Sequence, residues 1–369
     1  MADLKEVELL STGVFLPGEP VAFDQIEAVL GPLSHAPERL KRMIKKLKSL
    51  SKNRIGIEQC HFAIDPGTRQ QTETNTSMAV KAIRQALAKA NMGPADIDCI
   101  LLGNLMPDHQ TPPTTTLIQE ELGIERCAEM EIHSNCTGIT KVMQIAHDGI
   151  RLGRYKNALA VYTQFSSAYL RSEIYNPEKI GPEHLLLRWF ISDSAAAVVL
   201  RGHDKMKSGL KVTAVYNESL GGKLEAGMTF CHGGSGYDLK AAYEAGHQHF
   251  GQNYKAVEQF APAILGQGFN RMLDVCAVKP EDIDHVIVTI PSLKLLEKGK
   301  SEALKIYAVP HEKWFSNVKE KGYTGAASVI VSLDELLEKK MFKKDQLLAG
   351  ITIESSKWMV GGFLLSNLG

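Results

Sequence analysis

The chain has 369 residues, 44% of them apolar and 23% charged, with 42 Lys and Arg balanced by 42 Asp and Glu. That balance, with no long run of positive charge, argues against nucleic acid or an anionic membrane as the main partner, and no apolar run approaches the roughly 18 residues of a membrane span. The opening Met1-Ala2-Asp3-Leu4-Lys5-Glu6 lacks the basic and apolar segments of a secretory signal, so a cytoplasmic protein is expected.

At this length the expectation is two domains, or two similar halves sharing an interface. Residues 39–54 hold Lys41, Arg42, Lys45, Lys46, Lys48 and Lys52 and read as the solvated face of a helix. Residues 77–89 place Met78, Ala79, Ala82, Ile83, Ala86 and Leu87 at helical spacing. Residues 91–103 follow, a Pro94-Ala95-Asp96-Ile97-Asp98 turn leading into a short apolar run.

The same unit returns at residues 277–289, where Pro280-Glu281-Asp282-Ile283-Asp284 leads into a second apolar run after a helix over 258–275. An internal duplication explains both, with halves at 1–200 and 201–369. Further strands are predicted at 158–162, 195–200, 210–215 and 348–353. Apolar strands alternating with helices imply sheets covered on both faces, and two such βα halves stacked together give a layered α/β/α/β/α arrangement. Residues 171–188, with Pro177 and Pro182, and the Gly- and His-rich residues 230–254 read as irregular insertions, suited to a lid.

The six cysteines, Cys60, Cys99, Cys127, Cys136, Cys231 and Cys276, show no C-x-x-C spacing, so neither a metal site nor a disulfide framework is expected. One cysteine stands apart. In Glu131-Ile132-His133-Ser134-Asn135-Cys136-Thr137-Gly138 a strand-like start breaks at Ser134, and Ile139, Val142, Met143 and Ile145 then take helical spacing. Cys136 therefore falls at or just before a helix N-terminus, where unsatisfied N–H groups and the macrodipole favour a thiolate. Taken alone, such a cysteine also fits the role of a small buried apolar residue.

The wider pattern resembles the ketoacyl synthase III branch of the thiolase superfamily across nearly the whole chain. Leu9-Leu10-Ser11-Thr12-Gly13 is similar to the family's opening strand, Pro107-Asp108 and residues 112–124 to the segment before its nucleophile, and Ser134-Asn135-Cys136-Thr137-Gly138 to the nucleophile itself. Phe190-Ile191-Ser192-Asp193 followed by residues 194–200 is similar to its Phe-Gly-Asp-Gly-Ala strand. The resemblance implies a thiolase-like fold, a twofold dimer, and a Cys136 that takes an acyl group from acyl-CoA or an acyl carrier protein, with no resident cofactor. The basic residues 39–54 then have a second reading, as a landing site for such a carrier.

Family members add a histidine and an asparagine that stabilise the enolate of a malonyl thioester. The matching positions here are Ser292 and Tyr323. A glycine-rich turn near the family's C-terminus is replaced by Glu354-Ser355-Ser356-Lys357-Trp358, where Glu354 offers a backbone N–H or a carboxylate base. His109 and His232 are the candidates to stand in for the missing histidine, and Asn135, beside the nucleophile, is placed with them as substrate-binding.

The expected activity is acyl transfer or a modified condensation in fatty-acid or polyketide-like metabolism, including secondary metabolism. Two other readings stay open. One is a catalytically reduced partner subunit in a heterodimer with a related ketosynthase; the other is a thioester hydrolase with Glu354 or a histidine as base.

Overall fold

The computed structural model describes residues 4–291 and 308–369. Ten strands form its main sheet: β1 (Glu6–Phe15), β2 (Cys99–Asn104), β3 (Ala128–His133), β4 (Asn157–Gln164), β5 (Ser194–His203), β6 (Leu210–Ser219), β7 (His285–Val288), β8 (Trp314–Phe315), β9 (Leu347–Glu354) and β10 (Met359–Asn367). Their order is β8-β7-β9-β10-β6-β1-β5-β4-β2-β3.

The first five strands and the last five follow one pattern, third-second-fourth-fifth-first, with matching directions. The pairs β2/β3 and β2/β4 are parallel, as are β7/β8 and β7/β9. The pairs β4/β5 and β1/β5 are antiparallel, as are β9/β10 and β6/β10. The two sets meet where β1 and β6 pair antiparallel through Val7 with Val212 and Glu8 with Lys211.

The repeated Pro-x-Asp-Ile-Asp turns do the same work in each set. Pro94–Asp96 and Pro280–Asp282 are both 3-10 turns. Asp98 then accepts the Asn157 N–H at the start of β4 at 2.8 Å, and Asp284 accepts the Leu347 N–H at the start of β9 at 2.9 Å. In each set a carboxylate thus takes a strand-end donor and fixes register between the second strand and the fourth.

The helices that matter for the site are α1 (Glu38–Ile55), α2 (Asn75–Lys89), α3 (Thr114–Leu122), α4 (Gly138–Arg151), α5 (Tyr254–Cys276) and α6 (Ser328–Glu338). Val142 and Met143 of α4 and Ile330 and Leu333 of α6 share one buried core with Leu101 and Ala160 of the first set and Leu348 and Phe363 of the second. Met78 of α2 and Ile118 of α3 pack on the outer face of the first set, and Phe269 and Met272 of α5 on that of the second. The result is the expected succession of helix, sheet, helix, sheet and helix, a thiolase-like α/β fold, and it buries α4 at the centre of the molecule.

The two insertions fold as a cap. Residues 171–188 form short turns at Ser172–Ile174, Pro182–Leu185 and Leu186–Trp189. The other holds the helix Leu239–Ala245 and a strand pair between Gly251–Gln252 and Met228–Thr229. The basic stretch lies on α1, where Lys48 pairs with Glu27, Lys52 with Asp24 and Lys41 with Glu38. These three lysines are partnered within the chain.

Candidate active site

The site is built on the turn between β3 and α4. Ser134 N–H returns to Asn104 O at 2.9 Å, which ends the strand ladder, and Gly138 N–H bonds Asn135 O at 2.9 Å to close the turn. Glycine is required at 138, because a Cβ there would lie 2.5 Å from the Tyr162 ring. Cys136 sits in the turn, two residues before the first residue of α4, and is buried at 7% exposure. Cys136 belongs to a buried apolar cluster that holds Tyr169, Trp189 and Phe190 together with Leu185 and Phe250 of the cap.

Tyr323 comes to the sulfur from the second half. Its N–H bonds Phe190 O at 2.8 Å, its carbonyl accepts from Ser192 N–H at 2.9 Å, and its hydroxyl donates to Cys136 Sγ at 3.1 Å. Asn135 lies alongside, with its Oδ1 3.6 Å from the thiol and its Nδ2 3.0 Å from Met228 Sδ. Cys136, Tyr323 and Asn135 are thus brought together. Ser292 lies outside the described residues.

Glu354 ends β9 under the N-terminus of α4. Its Oε2 accepts the Thr137 N–H at 3.1 Å, the Thr137 hydroxyl at 2.7 Å and the Ser134 hydroxyl at 3.0 Å, while Oε1 takes the Ser356 hydroxyl. These four contacts engage the carboxylate expected to serve as a base. A carboxylate with four donors on it serves as a helix cap, an interaction worth about 1 kcal/mol.

Burial opposes the expected thiolate. Burial pushes the Cys136 thiol up to about 12, the Glu354 charge pushes in the same direction, and the Tyr323 hydrogen bond pulls only partly against them. Sequence reasoning weighed the helix N-terminus and missed that a carboxylate already occupies it.

His109 is exposed on the loop after β2. His232 is also exposed, its ring stacked on Phe230 at 5.9 Å. Among the described residues no hydrogen bond joins either imidazole to Cys136. The buried imidazole of the cap is His249, held where its Nε2 accepts the Asn176 N–H at 2.9 Å.

The polar residues nearest the site that sequence reasoning did not single out are phenols and amides. Tyr162 hydroxyl donates to Gln164 Oε1 at 3.3 Å, and Gln164 Nε2 donates to Tyr169 hydroxyl at 2.7 Å. Both tyrosines are fully buried, and burial, followed by neighbouring charge that includes Cys136, raises each phenol well above its ordinary value. Lys141, in the first turn of α4, donates to Ser134 Oγ at 2.8 Å. Their one sequence signal is position: β4 ends Tyr162-Thr163-Gln164, on the strand next to β2, whose far neighbour β3 carries the nucleophile turn.

The fold, with a buried cysteine at a strand-to-helix turn, is thiolase-like. Residues 273–354 match the family described as 3-Oxoacyl-[acyl-carrier-protein (ACP)] synthase III C terminal. The chain is 26% identical over 311 residues to a beta-ketoacyl-[acyl-carrier-protein] synthase III of Clostridium perfringens, covering 83% of this chain and 87% of that one. It superposes with a TM-score of 0.77 on AbyA1, a tetronic acid condensing enzyme, at 23% identity over 98% of this chain and 100% of that chain. It superposes with a TM-score of 0.75 on a variant of Xanthomonas campestris OleA with bound lauric acid and lauroyl-CoA, at 17% identity over 98% and 99% of the two chains. At these identities the structural likeness is one of fold. With the family match over residues 273–354 and the sequence relative, it makes this chain similar to ketoacyl synthase III enzymes.

Proposed function

We propose that this protein is an acyltransferase of the ketoacyl synthase III type that loads an acyl group onto Cys136 and passes it to a second substrate. The observation that carries the reading is the Tyr323 hydroxyl 3.1 Å from a cysteine sulfur buried in an apolar cluster. An apolar surround accepts an acyl chain, and the hydroxyl stabilises negative charge on sulfur or on a thioester oxygen. In this reading residues 1–200 supply the nucleophile and residues 201–369 supply Tyr323, Ser292 and Glu354.

Loading is an exchange of thioesters. The Cys136 sulfur bonds the carbonyl carbon, the bond from that carbon to the carrier sulfur breaks, and the thiol proton of Cys136 ends on the departing carrier thiol. Transfer reverses the pattern: the acceptor takes the acyl carbon, and the proton that it gives up returns to Cys136. The donor is an acyl-CoA or a carrier protein with the same phosphopantetheine arm, in keeping with the lauroyl-CoA bound in the OleA relative. Neither step needs an enolate, which suits a site with Tyr323 at the asparagine position.

The committed Glu354 carboxylate weighs against the hydrolase reading, since hydrolysis needs a free base to activate water. Within the same reading the protein works as a cytoplasmic homodimer. Among the described residues no helix is long and apolar enough to cross a membrane.

The test is to supply an acyl-CoA together with a malonyl thioester, and separately with free pantetheine, and to follow carbon dioxide and acylated products. The reading predicts acyl exchange onto pantetheine with little carbon dioxide release. Rapid decarboxylation with a 3-oxoacyl product would overturn it.

A further inference from the structure

Glu354 occupies a place that elsewhere attracts a ligand. The N-terminus of an α-helix offers unpaired N–H groups and roughly half a positive charge to an anion. At α4 that place is filled by the chain's own carboxylate, 3% exposed, through the Thr137 N–H at 3.1 Å, the Thr137 and Ser134 hydroxyls and, on its other oxygen, Ser356. The carboxylate brings a full negative charge against the helix's half. The net field on the neighbouring Cys136 sulfur is therefore negative, the reverse of what a bare helix terminus gives.

The other groups facing the sulfur do not reverse that sign. Tyr323 donates a hydrogen bond to it, and Tyr162 and Tyr169, whose phenols also sense Cys136, are neutral. Lys141 is the nearby cation, placed on Ser134 Oγ at 2.8 Å, so one hydroxyl separates it from Glu354. It offsets part of the carboxylate's charge.

We propose that Glu354 is a positioning residue that fixes the nucleophile turn and holds Cys136 as a neutral thiol in the resting protein, so that the sulfur is shielded from unselective electrophiles. This concerns the regulation of the site read above as the acyl carrier and rests on that reading only for its effect on acyl loading.

The experiment is peptide-resolved alkylation of Cys136 in the full chain by iodoacetamide as a function of pH. Glu354→Gln is near-isosteric: its amide oxygen still accepts from Thr137 and Ser134, and its amide nitrogen donates to Ser356 Oγ. The midpoint for Cys136 is expected to fall by about one pH unit or more, a roughly tenfold larger thiolate fraction at fixed pH. Ser356→Ala removes a partner of Glu354 and leaves its charge, so the midpoint should stay. Lys141→Met removes the offsetting cation and should raise it, which tests the same field if Glu354→Gln fails to fold. An unchanged midpoint in a folded Glu354→Gln protein, or a fall in Lys141→Met, overturns the proposal. Alkylation needs no acyl donor, so a failure of acyl loading would leave this result standing.

Discussion

The Tyr323 hydroxyl donates to Cys136 Sγ at 3.1 Å, from a turn in the second half to a turn in the first. This bond is the largest of the influences favouring thiolate at a sulfur that burial and Glu354 hold as thiol. A hydrogen bond to a charged group is worth about 1.5–3 kcal/mol. Tyr323→Phe keeps the buried ring and deletes the donor, so Cys136 alkylation at fixed alkaline pH should slow by about tenfold or more. Equal rates in the two proteins would show that the hydroxyl does not act on the sulfur.

Gly322 sets where Tyr323 stands. Its φ is 69°, and a Cβ would lie 2.2 Å from Ser192 Oγ and 2.9 Å from Cys60 Sγ. Gly322→Ala should cost about 1–3 kcal/mol by overpacking, with added backbone strain. Because the shift reaches Tyr323, thermal stability and Cys136 alkylation should fall together. A variant that melts as the wild type does would contradict the crowding.

Arg188 holds the cap to the first half. Its guanidinium is 1% exposed and donates to Leu170 O at 3.1 Å, Leu30 O at 3.2 Å and Gly31 O at 2.6 Å. Arg188→Met leaves three buried carbonyls without these donors and should destabilise the protein by about 3 kcal/mol or more. Lysine cannot reproduce the planar fork, so Arg188→Lys should also lose stability. Denaturant unfolding checks both, and a lysine variant as stable as the wild type would deny the fork its role.

His249 makes the cap acid-sensitive. Burial, then the neighbouring His184 ring at 4.8 Å, pulls its pKa from 6.5 down to about 4. The folded value lies below the unfolded one, so this contribution to stability is complete above pH 6.5 and is lost as pH falls toward 4. The loss is about 3 kcal/mol at most. His249→Gln, which keeps an acceptor for Asn176 N–H, should flatten unfolding stability across that window. An unaltered slope would place the acid sensitivity elsewhere.

Much of the architecture was legible because the strands of both halves are apolar runs opened by the same turn. Residues 91–103 and 277–289 announced the repeat, and the function of Asp98 and Asp284 in joining second and fourth strands is why the turn recurs. The strand Met359–Asn367 was harder to see, since Gly361-Gly362 reads as a turn. Both glycines answer to close approach: a Cβ on Gly361 would lie 2.1 Å from Thr140 Oγ1, and one on Gly362 2.4 Å from Met272 Sδ. The nucleophile turn was readable from local pattern, and the pairing of Cys136 with Tyr323 followed from family resemblance. The upward push on the Cys136 thiol was not readable, because it comes from burial and then from Glu354, 218 residues away in sequence, lying beneath α4.

The central claim is that Cys136 carries the acyl group, and intact mass followed by peptide mapping tests it most directly. Wild-type protein incubated with panels of acyl-CoA and acyl carrier protein thioesters should gain the mass of one acyl group, on the peptide that contains Cys136, and Cys136→Ala should gain none. No adduct on the wild type with any donor, or an equal adduct on Cys136→Ala, would contradict the account.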